Sequence, residues 1–198
     1  MTALFPVEDL APEPAPSLIT FDITAYGTPA GQGRVSFFKG RGVHSNADKL
    51  KPWRKAISEA AQEVAGTHPY TGPPKRKAKP GEKAEKVPPQ PCKVCGILPS
   101  VHGLLTGPLG IEITVSVEQS TAAAKRGDVW PANRTSSDID HHARSVLDAL
   151  TTASLWRDDA QVVELCARKV WAGGLGIDAL TEPGVVIHVW QLATAVAP

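Results

Sequence analysis

The chain is poor in cysteine: it has three residues, Cys92, Cys95 and Cys166, in 198. A small, odd count argues against a disulfide framework of the kind that holds small secreted domains together. Long apolar runs are missing too. None approaches the roughly 20 residues that a membrane-spanning helix needs. The opening stretch, Met1 to Leu10, has neither the basic segment nor the apolar segment of a secretory leader. Net charge is nearly absent at +1, so the chain as a whole is neither acidic nor basic. No repeat with a period of 20–50 residues is present, which sets aside solenoids and propellers. Together these absences lead us to expect a soluble, intracellular, cytoplasmic protein with no membrane segment.

The composition that remains supports a real core, with 42% hydrophobic residues. A chain of this length suits one domain, expected over 19–198. Residues 1–18 hold four prolines with Glu8, Asp9 and Glu13, and read as a flexible tail. The small net charge hides local clusters. Gly31 to Ile57 carries seven bases (Arg34, Lys39, Arg41, Lys49, Lys51, Arg54 and Lys55) against Asp48, a local +6. Lys75 to Lys86 carries six bases and two acids, a local +4. Local basicity of this kind points to an anionic partner.

Periodicity places the elements. Ile19 to Tyr26 alternates apolar and polar residues and predicts a strand. The segment Gly27-Thr28-Pro29-Ala30-Gly31-Gln32-Gly33-Arg34 reads as a loop, either simple turn chemistry or a close backbone approach to a ligand. Val35 to Lys39 and Val43 to Ser45 form the arms of a hairpin around Gly40-Arg41-Gly42. Asn46 or Asp48 caps a helix with Pro52 in its first turn, and Gly66 ends it. Trp53, Ile57, Ala60, Ala61 and Val64 share one face of that helix. Lys51, Arg54, Lys55 and Ser58 lie off it, the bases as phosphate contacts or as an ordinary solvated face. Leu109 to Glu118 alternates strictly and is a strand. Gln119 to Ser136 is polar and is expected to cross the surface. A helix begins near Ser137 or Asp138, with Ile139, Ala143, Val146, Leu147 and Leu150 as its apolar face. Gln161 to Trp171 and Gly184 to Trp190 are the last strands. His188 has no sequence partner and reads as structural. The fold class that follows is α/β (α+β), a small mixed β-sheet packed by two main helices.

Between the first helix and the strand at Leu109, residues 67–108 break the pattern with nine prolines. A stretch this long with little periodicity is a flexible or functional insertion. It contains Cys92-Lys93-Val94-Cys95-Gly96. A Cys-x-x-Cys-Gly turn is half of a zinc knuckle, because two thiolates on one turn can reach one tetrahedral ion. His102 and His68 are the candidates for the remaining ligands. The alternative is a mobile loop with two thiols. Cys166 reads as a small strand filler.

Two groups of carboxylates stand out. Asp138 and Asp140 open the second helix, and Asp158 and Asp159 precede the strand at Gln161. Carboxylates gathered at the ends of elements suit a hard cation such as Mg²⁺, and without one they repel. Each also has a plainer reading. Asp138 can cap the helix, Asp140 can favour its positive end, and Arg144 can bridge aspartates four residues away.

The run Asp138-Ile139-Asp140, Arg144 to Thr151 and Trp156-Arg157-Asp158-Asp159-Ala160-Gln161-Val162-Val163-Glu164 resembles the RusA family of Holliday junction resolvases. The shared pattern is D-x-D, a helix ending in D-A-L, then D-D-[AS]-Q-[VI]-V. The resemblance is good from Leu109 to about Gln191 and loose from Ile19 to about Gly66. It implies an α/β nuclease, common in bacteriophages, that nicks four-way DNA junctions as a homodimer with Mg²⁺, for which Mn²⁺ can substitute. A phage-encoded enzyme of this kind would work in the host cytoplasm.

The catalytic and metal-binding aspartates implied are Asp138, Asp140 and Asp159, with Asp158 as an auxiliary ligand or a turn residue. Arg144 stands where the family often has a catalytic lysine. An arginine can stabilise phosphate charge but does not give up its proton. His141 stands where an asparagine often follows, and is a candidate for metal or phosphate. Asp148 becomes a helix-surface partner of Arg144. Lys39, Arg41, Lys51, Arg54, Lys55 and Lys169 are the DNA-binding candidates. Two other readings remain: a non-catalytic DNA-binding protein, or a less specific Mg²⁺-dependent nuclease for flaps and other branched DNA.

Overall fold

The computed structural model describes residues 20–33, 35–38, 41–44, 46–72, 88–132 and 136–193. The expected N-terminal tail lies outside them. Four strands form one mixed sheet in the order β1-β6-β4-β5. They are β1 (Thr20–Tyr26), β4 (Leu109–Val117), β5 (Val162–Trp171) and β6 (Gly184–Gln191). β6 pairs antiparallel with β1 and β4, whereas β4 and β5 run parallel. A separate hairpin pairs β2 (Val35–Phe38) with β3 (Arg41–His44).

Alternation in β4 decides which face of the sheet is covered. Ile111, Ile113 and Val115 are fully buried in the same core as Ile23, Val185 and Ile187. Two helices close that core. In α1 (Ala47–Ala65), Leu50, Trp53, Ile57 and Ala61 recur at three- and four-residue spacing and all are buried, as an amphipathic helix requires. In α3 (Ile139–Thr152), Ala143, Val146, Ala149 and Leu150 do the same. Gly66 ends α1 in the left-handed conformation, with φ at 64°, where glycine carries no Cβ penalty.

Several local expectations change. Arg41 and Gly42, expected in the hairpin turn, pair with Phe38 and Phe37 as part of β3. On α1, Val64 is exposed although expected on the apolar face, and Ser58 is buried although expected off it, because the buried stripe runs through Leu50, Trp53, Ile57 and Ala61. Pro52 is the sixth residue of α1 rather than a first-turn residue, because the helix starts at Ala47 and runs on through it. The polar run after β4 contains a short helix, α2 (Thr121–Arg126), capped by Ser120 and closed by Gly127. It buries one small side chain, Ala123, too little to leave an apolar stripe in the sequence. Ile139, expected on the apolar face of α3, is exposed.

The opposite face of the sheet carries polar partners in cross-strand register. His188 on β6 stands opposite Asp22 on β1 and Glu112 on β4. His188 Nδ1 contacts Asp22 at 2.6 Å and Nε2 contacts Asp178 at 3.0 Å, and Arg168 on β5 pairs with Glu112. His188, read as structural for want of a partner in the sequence, has two carboxylate partners in the fold.

Parallel strands need a crossover connection, and α3 supplies it between β4 and β5. The helix therefore runs against the direction of both strands. Its N-terminus lies beside the end of β5, where Lys169 reaches it, and its C-terminus lies beside the start of β5. This placement decides which carboxylates can meet.

Candidate active site

The N-terminus of α3 is held from three sides. A tight turn leads into it, with Ser137 at φ 50°. Lys169 on β5 donates to Ser136 O at 3.3 Å, Ser136 Oγ at 2.9 Å and Ser137 O at 2.7 Å. His142 is buried, and its Nε2–H donates to Ser136 O at 3.0 Å. From the third side, the loop after β1 lies against the helix. Gln32 N–H donates to His141 O at 2.9 Å, and Asn46 Nδ2 donates to Gly31 O at 2.6 Å. A Cβ on Gly31 would sit 2.9 Å from His141 Cβ and 3.0 Å from Ser137 Cβ. The glycine is therefore needed for packing at this point.

Burial lowers the pKa of His142, and its Nδ1 has no hydrogen-bond partner, so it is a neutral fixture of the turn. Burial also lowers the pKa of the Lys169 ammonium, against the attraction of Asp138. Lys169 was expected to contact DNA. Its ammonium instead donates to the turn that presents the acidic residues.

That turn presents Asp138, Asp140 and His141. Their ligand atoms all lie within 4.8 Å of one another. Asp138 occupies the N-cap position, yet its side chain makes no capping hydrogen bond. The Asp140 carboxylate is exposed, 3.9 Å from His141 Nε2. Two carboxylate donors and an imidazole at the positive end of a helix are a chemically suitable set for a divalent cation. Arg144, one turn further along α3, is exposed.

Asp159 is not in this group. It lies just before β5, whereas Asp138 and Asp140 lie at the far end of α3 beside Lys169. The 14 residues of α3 span about 21 Å. From Val162 to Lys169 the strand covers about 23 Å. Within one chain, Asp159 therefore lies at the opposite end of α3 from Asp138 and Asp140. Asp158 caps the short helical turn Asp159–Gln161: Ala160 N–H donates to Asp158 Oδ1 at 2.9 Å, and Gln161 answers from the other side. Of its two expected roles, Asp158 occupies the turn role.

The basic candidates separate. Lys39 and the side chain of Arg41 lie outside the described residues. Lys51 is exposed on α1. Lys55 pairs with Glu59 at 3.4 Å along the helix. Arg54 forms an ion pair with Asp148 of α3, so it ties the two helices together. Asp148 therefore partners Arg54 rather than Arg144, because its flank of α3 faces α1.

A second ligand group lies beyond the C-terminal end of α3. The ligand atoms of His68, Cys92, Cys95 and His102 all lie within 4.8 Å of one another. Burial raises the pKa of the Cys92 thiol, but hydrogen bonds with the Thr71 side chain and with the backbone of Thr71, Cys95 and Val94 prevail and hold it near 4. Cys166 is exposed on β5, a departure from the small filler expected.

Sequence reasoning missed the Gly31–Gln32 contact and the roles of Ser136, Ser137 and His142. All depend on which loop α3 meets. The only sequence signal was glycine on both sides of Gln32.

Residues 99–179 match the model of the RusA endodeoxyribonuclease family. The matched stretch takes in β4, α2, α3 and β5, and with them Asp138, Asp140, Arg144, Asp159 and Lys169. It begins after His68, Cys92 and Cys95. No curated protein matches the chain.

Proposed function

We propose, from the match of residues 99–179 to the model of the RusA endodeoxyribonuclease family, that the chain is a Mg²⁺-dependent endonuclease that resolves four-way DNA junctions by paired nicks, as a homodimer in the cytoplasm. The observation that carries this reading is the group of Asp138, Asp140 and His141 at the N-terminus of α3. Asp138 and Asp140 would hold the cation, with Mn²⁺ as a substitute. When bound, such a cation activates water at neutral pH and shields charge on the phosphate. His141 adds a third donor at the same point. Arg144 projects from the next turn of the helix and can take phosphate oxygens in a bidentate pair. Lys51 offers an exposed charge to the DNA backbone, so binding weakens as salt rises.

The separation of Asp159 from Asp138 and Asp140 supports the dimer. β5 is an outer strand of the sheet, and Val163 and Leu165 on it are 63% and 51% exposed. Two copies pairing their β5 strands antiparallel about a two-fold axis would set the start of one strand beside the end of the other. Asp159 of the second copy would then lie beside Lys169 and the acidic turn. Each of the two sites would draw aspartates from both chains, and their two-fold relation matches that of a four-way junction.

The test is cleavage of a synthetic four-way junction, a flap and a linear duplex, each in Mg²⁺ or in EDTA. Paired nicks in the junction with Mg²⁺, and none in EDTA, are expected. Binding of the junction without cleavage in either condition would end the enzymatic reading. Equal cutting of all three substrates would end the junction assignment.

A further inference from the structure

We propose that His68, Cys92, Cys95 and His102 bind one structural Zn²⁺ that fastens the 67–108 insertion to the turn after α3. The distances within the group are those of ligands around a tetrahedral ion. His68 Nε2 lies 3.3 Å from His102 Nε2 and 3.7 Å from Cys92 Sγ. With Zn–N near 2.05 Å and Zn–S near 2.3 Å, a tetrahedron has edges of about 3.3 Å between two nitrogens and about 3.6 Å between nitrogen and sulfur. The two imidazoles meet edge-on at 84°, with their Nε2 atoms adjacent. A tautomer of His102 with Nδ1–H donating to Ser154 Oγ, 3.0 Å away, leaves Nε2 as a lone pair for the ion. A hydrogen-bonded second nitrogen is the usual way a ligating histidine is oriented.

The local backbone suits the same role. Gly96 N–H donates to Cys92 O at 2.8 Å, and Gly96 has φ at 74°, so the chain reverses immediately after Cys95 and both thiols stay on one turn. Cys92 and Cys95 are not bonded to each other. His68 comes from the other limb of the insertion. Lys93 N–H donates to Thr71 O at 3.0 Å, and Tyr70 Oη–H donates to Gln90 O at 2.6 Å, so backbone and side-chain hydrogen bonds join the two limbs.

What the ion would hold in place is the turn that leads to Asp159. Leu104 and Leu105 N–H donate to Ser154 O and Leu155 O at 3.1 and 2.8 Å. Thr67 Oγ1 donates to Ala153 O at 2.8 Å. A Cβ on Gly103 would lie 2.6 Å from Arg157 N, so the insertion packs against the Trp156–Arg157 backbone at that point. Gln161 Nε2 donates to Leu105 O and Gly107 O. His102 itself holds Ser154, which has φ at 59°. The metal would thus set the position of residues 154–161 from outside the α3–β5 crossover.

Metal content and backbone exchange are read without DNA, so they are independent of the nuclease reading. Full-length protein purified without chelator should contain one zinc per chain. Exchange into Co²⁺ should give the visible bands of a tetrahedral site and the near-ultraviolet band of thiolate ligation. Cys95→Ser should lose both signals, and amide hydrogen exchange over 99–107 and 154–161 should quicken at least several-fold. Asp140→Asn should keep the metal. Wild-type protein that holds no stoichiometric zinc and gives no tetrahedral Co²⁺ spectrum would overturn the site. A Cys95→Ser protein with unchanged zinc would overturn it too. Loss of zinc with unchanged exchange at 154–161 would overturn the staple.

Discussion

At the scale of single residues, the candidate site is made of carboxylates whose plainer uses are taken by other groups. Asp138 sits at an N-cap but makes no capping bond, and the turn before it is held by Lys169 and His142. Asp140 is exposed beside His141. Asp140→Asn keeps the shape and removes the charge that a cation needs. Cleavage should fall by about 100-fold or more, with junction binding retained, as gel-shift and nicking assays would show; cleavage at the wild-type rate would remove Asp140 from the site. Away from the site, His188 reports on the sheet. Its pKa is raised above 6.5, first by its hydrogen bond with Asp22, against burial, and then by Asp178. A raised folded-state pKa stabilises fully below the unfolded value and is lost as pH rises through the folded one. Thermal stability should therefore fall as pH rises from about 6.5 through the raised pKa. The loss should be about 1 kcal/mol or less, because Asp22 is exposed. His188→Gln should flatten that part of the Tm profile; an unchanged slope would show that another group carries it. Asp138, Asp140 and Arg144 were legible in the sequence because their relation is a matter of spacing along one helix. The pairing of His188 with Asp22 was not, because Asp22 lies 166 residues away in the chain and only sheet order brings them together.

At the scale of elements, the same limit recurs. The alternation in β4 and the apolar spacing of α1 and α3 were enough to place all three, whereas α2 buries too little to be seen. Arg54 and Asp148 show how a surface reading of a helix goes wrong. Arg54 looked like a DNA contact and Asp148 like a surface partner of Arg144, until α1 and α3 were packed together and the two paired with each other. The Gly31 loop is the opposite case, a turn that packs against His141 and Ser137 beside the acidic residues. Gly31→Val would press on His141 and Ser137, which lie within 3.0 Å of even a single added Cβ. It should lower cleavage at least tenfold, with a cost to stability of about 1–3 kcal/mol. Nicking rates and thermal melts would separate the two effects. A variant that melts lower but cuts normally would show that the loop supports the fold and not the acidic turn.

At the scale of the molecule, one geometric fact organises the functional reading. The crossover makes α3 run against β5, which puts Asp159 about 20 Å from Asp138 and Asp140 within one chain. The resemblance implied one set of three aspartates, and the chain does fold back after the helix. It folds back at the wrong end of the helix for them to meet. If they act together, they do so across two chains, and a mixing experiment tests this directly. Asp140→Asn and Asp159→Asn should each be inactive on a four-way junction. Co-expressed in equal amounts, they should recover about one quarter of the wild-type nicking, because half of the dimers are mixed and each of those holds one intact site. A mixture as inactive as its two components would contradict the shared site.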